Sequence, residues 1–350
     1  MRHWDVIVSM LAMVIDVHTH FVPQFWREAT TKAGFGKPDG MPGIPAWSEE
    51  AHLELMQQAN ISKAILSITS PGTYLIPGGY HEARRLSRKS NEFAADLKRR
   101  RPDQFGFWAV LPLPDVEGSL VELAYALDHL NADGVVIFTN NHGIYPGDKL
   151  FEPVFHELNR RNATIFIHPT SPCIYNNNND KDAPGQHHHA KQQIIQFQSY
   201  PNPMLEFFFE SARAITNLFL TNTVNTFPRI SYIISHAGGA FPPSVERFSY
   251  FASALLDLPF EVTSDSVKEV FARQFYFDLA GLTFPDQIYG LLRYVGARRI
   301  VYGSDFPYTP GKDVVGIAGV VDEGIAGVFP DQFDRENIFS GNAETILARG

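Results

Sequence analysis

The sequence predicts an α/β fold of the (β/α)8 TIM barrel type, and three observations support this prediction. Short apolar, β-branched runs alternate with longer helical patterns along the chain. Several of these runs are apolar on both faces, which is typical of parallel strands that are covered by other elements on each side. The length of 350 residues suits an α/β barrel that forms one domain.

The predicted strands are short and rich in Val, Ile and Phe. They cover Val14–His18, Ala64–Ile68, Phe105–Leu111, Gly134–Phe138, Thr164–His168, Ile230–His236, Phe275–Ala280 and Ile300–Asp305. Helical patterns separate them and cover Glu49–Ala59, His81–Arg100, Glu117–Leu130, Leu150–Arg161, Met204–Asn225, Pro243–Leu256, Ser266–Arg273 and Asp286–Val295. Eight strands and eight helices are the numbers that close such a barrel.

Two long connections interrupt this alternation. Gln24–Ser48, rich in Gly and Pro, follows the first strand, and Pro169–Pro203 follows the fifth. Long loops in compact domains are usually functional lids or disordered segments. Both loops leave the carboxyl end of a strand, which is the catalytic face of a barrel.

We expect the barrel to occupy residues 13–350 as a single domain, preceded by an extension of residues 1–12. Val6–Val14 is apolar, which raises the alternative of a signal peptide. However, Asp5 interrupts the basic region, and cleavage further along would remove the first strand. We therefore predict a cytoplasmic protein.

The composition excludes several classes of partner. The formal net charge is −9 and no basic stripe is present, so nucleic acid is not expected to bind. No apolar run approaches the roughly 20 residues that cross a bilayer, so we expect no membrane span. The single cysteine, Cys173, excludes an intramolecular disulfide and fits a reducing compartment.

The first strand ends in Asp16-Val-His18-Thr-His20. Side chains alternate along a strand, so His18 and His20 point to the same side. Two imidazoles at the open end of a barrel make half of a divalent-metal site. On this motif alone, two histidines hydrogen-bonded within a loop remain the alternative.

Three more strands end in residues that can bind a metal. His168 ends the fifth strand, His236 the sixth and Asp305 the eighth. The carboxyl ends of strands converge in a closed barrel, so these groups should meet His18 and His20. Chance placement is the weaker explanation, because imidazoles and carboxylates are seldom buried without partners.

These motifs together resemble the amidohydrolase superfamily, and within it the family of aminocarboxymuconate-semialdehyde decarboxylase, γ-resorcylate decarboxylase and 6-methylsalicylate decarboxylase. The resemblance extends from about Val14 to Leu347. It is carried by D-V-H-T-H in the first strand, F-I-H-P in the fifth, S-H-A-G-G-A-F-P in the sixth and Y-G-S-D-F-P in the eighth.

The resemblance implies one divalent ion, zinc or manganese, and no organic cofactor. The implied ligands are His18, His20, His168 and Asp305, with His236 beside the ion as the acid/base or substrate-polarising group. Binuclear relatives often carry a bridging lysine at the end of strand 4. The stretch Asp133–Asn141 contains no lysine, which favours a single ion.

The resemblance also implies non-oxidative decarboxylation of a small, salicylate-type aromatic acid. Protonation of the ring carbon precedes loss of CO2, and His236 or Asp305 could donate the proton. The H-x-G-E pattern of resorcylate enzymes is absent, and Glu50–Glu54 lacks the arginines of the muconate enzyme. We therefore expect a substrate with one carboxylate, such as 6-methylsalicylate, which would give 3-methylphenol. The alternative is a mononuclear hydrolase of a lactone or amide on the same fold.

Other residues have weaker patterns. Arg247, Phe306 and Tyr308 are candidate substrate-binding residues, with a surface arginine and ordinary core aromatics as the alternatives. His187-His188-His189 lies in a polar loop and is interpreted as solvated rather than as a second metal site. The family resemblance and the aromatic region Phe248–Phe260 suggest a homodimer.

Overall fold

Eight strands pair in parallel, in sequence order, in the computed structural model, which describes residues 13–175, 193–194 and 200–349. Every neighbouring pair in this sheet is parallel. We label the strands β1 (Val14–His20), β2 (Ile61–Ser67), β3 (Phe105–Val110), β4 (Gly134–Phe138), β5 (Thr164–His168), β6 (Ser231–Ile234), β7 (Phe275–Asp278) and β8 (Ile300–Val301).

Helices follow the strands on the outside of the sheet. They are α1 (Gln24–Lys32), α2 (Glu49–Gln58), α3 (Tyr80–Arg100), α4 (Val116–Asp128), α5 (Glu152–Arg160), α6 (Glu206–Leu220), α7 (Thr223–Thr226), α8 (Val245–Leu255), α9 (Ser264–Gln274), α10 (Gln287–Leu292), α11 (Gly311–Val328), α12 (Gln332–Glu336) and α13 (Asn342–Leu347). Single 3-10 turns occupy Pro38–Gly40, Lys149–Phe151, Asn202–Met204, His236–Gly238, Pro242–Ser244 and Ala297–Arg299, and a π-helical turn occupies Asn337–Gly341.

Backbone hydrogen bonds join β1 to the segment that follows β8. The amide of Val17 donates to the carbonyl of Tyr302 at 3.0 Å, and the amide of Asp305 donates to the carbonyl of His18 at 2.8 Å. Gly303 permits this approach, because a Cβ there would lie 2.8 Å from the His18 Cβ. The last strand therefore meets the first, and the predicted (β/α)8 barrel is confirmed.

The alternation of β1 places its side chains as expected. Thr19 points to the helical layer, where its hydroxyl lies 3.5 Å from Nε2 of His52 on α2. His18 and His20 are fully buried inside the barrel. Trp108 of β3 is also buried there, and its indole nitrogen donates to the Val17 carbonyl at 2.9 Å. Trp108 therefore fills part of the barrel interior next to β1.

The helix prediction missed four helices. The predicted loop Gln24–Ser48 contains α1, and α11, α12 and α13, which follow β8, were not predicted. The predicted helix Ser266–Arg273 corresponds to α9, a second helix between β6 and β7. Five glycines in α11 give it a low helix propensity. Burial of Val321 and Ile325 holds it against the barrel instead.

Some predictions concern residues that the structure does not describe. The extension 1–12 lies outside the described residues, and so do His187–His189 and most of Pro169–Pro203. Ile174–Tyr175 and Gln193–Ile194, which belong to that connection, pair as a short antiparallel ladder. Among the described helices, none combines the length and apolarity required for crossing a membrane.

Candidate metal centre and active site

Two histidines of β1 point the same ring nitrogen towards the mouth of the barrel. Nδ1 of His18 donates to Oδ2 of Asp278 at 2.9 Å, and Nδ1 of His20 donates to Oγ of Ser67 at 3.0 Å. The Asp278 carboxylate can only accept, and the Ser67 hydroxyl already donates to the Thr19 carbonyl at 3.3 Å. Nδ1 therefore carries the proton in each neutral ring, and Nε2 keeps its lone pair. Each histidine therefore presents Nε2 as a potential ligand atom.

His168 and Asp305 complete a cluster around these nitrogens. The ligand atoms of His18, His20, His168 and Asp305 all lie within 4.8 Å of one another. Oδ1 of Asp305 lies 3.1 Å from Nε2 of His20 and 3.4 Å from Nε2 of His18. The structure thus brings together all four ligands that the family resemblance implied.

The cluster fits a divalent ion, because it contains buried polar atoms that need a partner. Nε2 of His18 and Nδ1 of His168 are buried and accept or donate no hydrogen bond within residues 13–175, 193–194 and 200–349. An unsatisfied buried polar atom is costly unless a ligand or ion satisfies it. Three imidazoles and one carboxylate are ligands that zinc and manganese accept.

The charges within the cluster are strongly coupled. Burial lowers the pKa of His18, but the carboxylates of Asp278 and Asp305 outweigh it and raise this pKa to about 10, so an ion that binds Nε2 would displace a proton from this ring. Burial lowers the pKa of His20 and, with the neighbouring histidines, takes that of His168 well below its usual value. Burial opposes ionisation of Asp305, yet His18 and His20 hold its pKa well below the usual range. Asp305 is therefore a carboxylate, as a metal ligand must be.

His236 lies beside the cluster on an unusual backbone. Its ring centroid is 5.0 Å from that of His18, and its Nδ1 donates to the carbonyl of Ala280 at 3.0 Å. The φ angles of His236 and Ala237 are +54° and +52°. Non-glycine residues seldom adopt this left-handed region, and such strain concentrates at functional sites. Nε2 of His236 is the ring atom left for a substrate.

Asp278, at the end of β7, is a functional residue that the sequence analysis missed. It forms a second group of potential ligands with His18 and His236. However, its Oδ2 accepts from His18, and its Oδ1 accepts from the backbone amides of His236 and Ala280 at 2.9 and 3.0 Å. A carboxylate ending an apolar strand, the pattern that identified Asp305, was also present in Phe-Tyr-Phe-Asp278.

Aromatic side chains surround the histidines. Phe207 and Phe208, at the start of α6, contact His168 and His236 with ring centroids 6.3 and 6.1 Å apart. Phe138 of β4 contacts His168 at 6.1 Å, and Tyr308 contacts His20 at 5.7 Å. Flat apolar walls of this kind suit an aromatic ring. The helical pattern that contained Phe207 and Phe208 did not distinguish them from core residues.

The three predicted substrate-binding residues lie in different places. Tyr308 lies beside His20, and the hydroxyl of Tyr308 is buried without a hydrogen-bond partner in the described part of the chain. The ring of Phe306 packs with Leu55 and Val314 and against His52, so these contacts lie behind β1.

Arg247 lies on the outer surface of α8, where its guanidinium is 4.7 Å from the Phe251 ring centroid. It borders a cavity of about 460 Å³ that is lined by Leu220, Ser244, Arg247, Phe248, Phe251, Ala252, Leu255 and Leu256. None of the four clustered ligands lines this cavity. The structure therefore does not bring Arg247 together with the metal ligands within one chain.

Three histidines and an aspartate meet at the strand ends of this barrel, and this combination defines the class of metal-dependent amidohydrolases. The chain belongs to the amidohydrolase family Amidohydro_2, whose model matches residues 15–349. Its relatives are more specific. The chain is 33% identical over 340 residues to 6-methylsalicylic acid decarboxylase of Penicillium expansum, with 96% of each chain covered. It is 34% identical over 343 residues to the decarboxylase macB of Penicillium terrestre, with 96% of this chain and 95% of that protein covered.

Solved structures support the fold. An amidohydrolase II structure matches with a TM-score of 0.80 and 30% identity, covering 96% of this chain and 99% of the other. A dihydroxybenzoic acid decarboxylase of Polaromonas, solved with manganese and the inhibitor 2-nitroresorcinol, matches with a TM-score of 0.75 and 18% identity, covering 97% of each chain. The family resemblance inferred from the four motifs is therefore confirmed.

Proposed function

We propose that this protein is a metal-dependent decarboxylase of a small salicylate-type acid, with 6-methylsalicylate as substrate and 3-methylphenol and CO2 as products. The observation that carries the proposal is the cluster of His18, His20, His168 and Asp305 with His236 beside it and aromatic rings around it. The relatives named for this activity are 33% identical to the chain.

The proposed cofactor is one divalent ion, zinc or manganese, held by His18, His20, His168 and Asp305. When bound, such an ion acts as a Lewis acid and a template for the carboxylate and adjacent phenolic oxygen of the substrate. The two Nδ1 hydrogen bonds of His18 and His20 keep their Nε2 atoms directed at this position.

His236 is the proposed proton donor. Direct loss of CO2 would leave an unstable aryl anion, so the ring carbon that bears the carboxylate must first be protonated. Because Nδ1 of His236 is bound to the Ala280 carbonyl, the proton must come from Nε2 of the imidazolium. The lowered pKa of Asp305 makes that carboxylate a poorer donor and a better ligand.

The aromatic walls favour a ring with one carboxylate. Phe207, Phe208 and Tyr308 lie against His168, His236 and His20 and would offer apolar contact to a ring bound there. An alkyl substituent would be buried favourably there, whereas a second carboxylate would lose its hydration.

We also propose a homodimer in the cytoplasm. Tyr250 and Leu255 of α8 are 69% and 70% exposed, and Phe251 lies between them on the same helix. Exposed apolar side chains this close together are typical of an interface. Arg247 lies on this face, so a partner could bring it to a substrate. Sedimentation showing a monomer at micromolar concentration would contradict the dimer, and the single cysteine supports a reducing compartment.

The test is an assay of purified, metal-loaded protein with 6-methylsalicylate. We expect CO2 and 3-methylphenol in equal amounts, and no product from the chelator-treated protein. 2-Methylbenzoate is the matched control, because it lacks the phenolic oxygen and should not react. Hydrolysis of lactones or amides, with no phenol from any salicylate, would favour the mononuclear hydrolase instead.

A further inference from the structure

We infer that Asp278 is a positioning residue that fixes both the metal-facing nitrogen of His18 and the backbone of His236. This inference rests on the proposed metal centre. The buried carboxylate of Asp278 would thus hold a metal ligand, His18, and the proposed proton donor, His236, in position relative to each other, although the two histidines follow different strands.

The first contact of Asp278 is with the ring of His18. Asp278 and His18 are both fully buried, and Nδ1 of His18 lies 2.9 Å from Oδ2 of Asp278. An ionised carboxylate only accepts hydrogen bonds, so the His18 proton must be on Nδ1. This leaves the Nε2 lone pair free for an ion. A carboxylate behind a ligating histidine also raises the basicity of that ligand.

The second contact of Asp278 is with the strained backbone at His236. Oδ1 of Asp278 accepts from the amides of His236 and Ala280 at 2.9 and 3.0 Å. On the other side of the residue, Nε2 of Gln287 donates to the His236 carbonyl at 2.6 Å. A φ of +54° persists in a non-glycine residue only when its surroundings hold it. The contacts from Asp278 and Gln287 supply that restraint.

An Asp278→Asn substitution should separate the contact with the His18 ring from the contact with the His236 backbone. Two backbone N–H groups require an acceptor, so the asparagine oxygen should stay towards His236 and Ala280. Its NH2 group would then face Nδ1 of His18, which would have to become the acceptor. The proton would move to Nε2 and block the ligand position. An Asp278→Ala substitution should instead lose both contacts.

Asp16→Asn is the matched control. Asp16 is also a fully buried carboxylate of the barrel, and its Oδ1 accepts from the backbone amides of His18 and Ser304 at 3.1 Å each. Among the described residues it makes no hydrogen bond to the His18 ring. Its replacement therefore tests the loss of a buried charge near His18 without changing the tautomer.

The experiment measures metal affinity by chelator competition with Zn²⁺, together with the visible spectrum of the Co²⁺ form. We expect Asp278→Asn to bind metal about 10- to 100-fold more weakly, the usual effect of losing such a partner. At saturating metal its kcat should fall less than that of Asp278→Ala, because the asparagine oxygen can still accept from the amides of His236 and Ala280. Asp278→Ala should lose affinity and kcat together, while Asp16→Asn should stay within about threefold of wild type in affinity. Far-UV circular dichroism of the metal-free variants checks folding.

Wild-type affinity in a folded Asp278→Asn variant would overturn the inference. If the variants do not fold, ¹⁵N-histidine NMR of the wild-type protein decides the same question. Metal-bound His18 should show a protonated Nδ1, and a protonated Nε2 would contradict the proposal. Failure of the wild-type protein to bind any metal would refute the proposed function itself. This outcome differs from failure of the inference on Asp278, in which the wild-type protein binds metal and the Asp278→Asn variant binds it equally well.

Discussion

The two sides of the barrel mouth are built differently. On the side of β1 and β5, His18, His20 and His168 lie on strands and are almost fully inaccessible to solvent. On the side of β6, His236 lies in a turn after the strand, half-buried, with φ at +54°. A metal cage requires fixed donors, whereas a proton donor must reach the substrate. The strand side therefore suits binding and the strained side, at His236, suits chemistry, while the fourth ligand, Asp305, also has a positive φ of +59°.

The largest expected effect is on the metal ligands. His168→Ala or Asp305→Ala removes one of the four clustered ligands, so metal affinity and turnover should both fall. Elemental analysis after dialysis should give about one ion per chain for wild type and much less for the variants. Two ions per wild-type chain would contradict the mononuclear centre, and full metal content in both variants would contradict the ligand set.

On the strained side, His236→Ala should keep the metal and lose turnover. A general acid contributes about 10²–10⁴ in rate, so kcat should fall by that factor. Metal content and CO2 release are measured in parallel with the His168→Ala variant. Near-normal turnover with full metal would remove His236 from the mechanism. Loss of the metal would make it a ligand and abolish the contrast between the two sides.

Gly239→Ala tests how tightly the strained turn is packed. The φ angle of Gly239 is +58°, and a Cβ there would lie 2.5 Å from the carbonyl oxygen of Phe208. We expect a loss of about 3 kcal/mol in the free energy of unfolding and a lower kcat, because Phe208 contacts His236. Gly43→Ala is the control, since nothing lies within 4 Å of its Cβ position. Denaturant unfolding measures the difference, and equal effects would contradict tight packing.

The smallest expected effect is the pH dependence of stability that His52, behind β1, should cause. Burial, with a contribution from His20, lowers the pKa of His52 from 6.5 to about 3. The neutral ring accepts a hydrogen bond from Nε1 of Trp47 at 3.0 Å. Because the folded pKa is depressed, this contribution to stability is present above pH 6.5 and is lost as the pH falls towards 3.

Unfolding free energies at pH 7.5 and pH 5 check this prediction. Wild type should lose about 2 kcal/mol more than His52→Gln on acidification, since one pKa unit corresponds to about 1.4 kcal/mol. The same acid loss in both proteins would mean that His52 does not titrate in the unfolding transition.

Patterns of single strands predicted much of the site. The apolar runs placed the barrel strands, and the polar residue ending each of four runs placed His18, His168, His236 and Asp305 at the mouth. Contacts between strands were harder to predict. Asp278 was missed, although its strand had been found, because its importance depends on which neighbours its two oxygens meet.

Helix α11 and the placement of Phe306 were missed for related reasons. Glycines weaken the helical pattern of α11, and tertiary burial of Ile325 overrides that propensity. Phe306 follows the ligand Asp305, but its own side chain points to Leu55 and Val314. Neighbours in sequence can therefore face opposite layers of the barrel, here where a turn begins and Asp305 has a φ of +59°.

The closure of β1 against the segment after β8 ties the ion to the completion of folding. His20 and Asp305 are 285 residues apart in the chain and are brought together only when the last strand docks on the first. A chain still lacking its final segment would hold three histidines without the carboxylate. An ion at 1,000 times its Kd adds about 4 kcal/mol to the folded state. A bound metal ion should therefore shift the equilibrium towards the closed barrel seam.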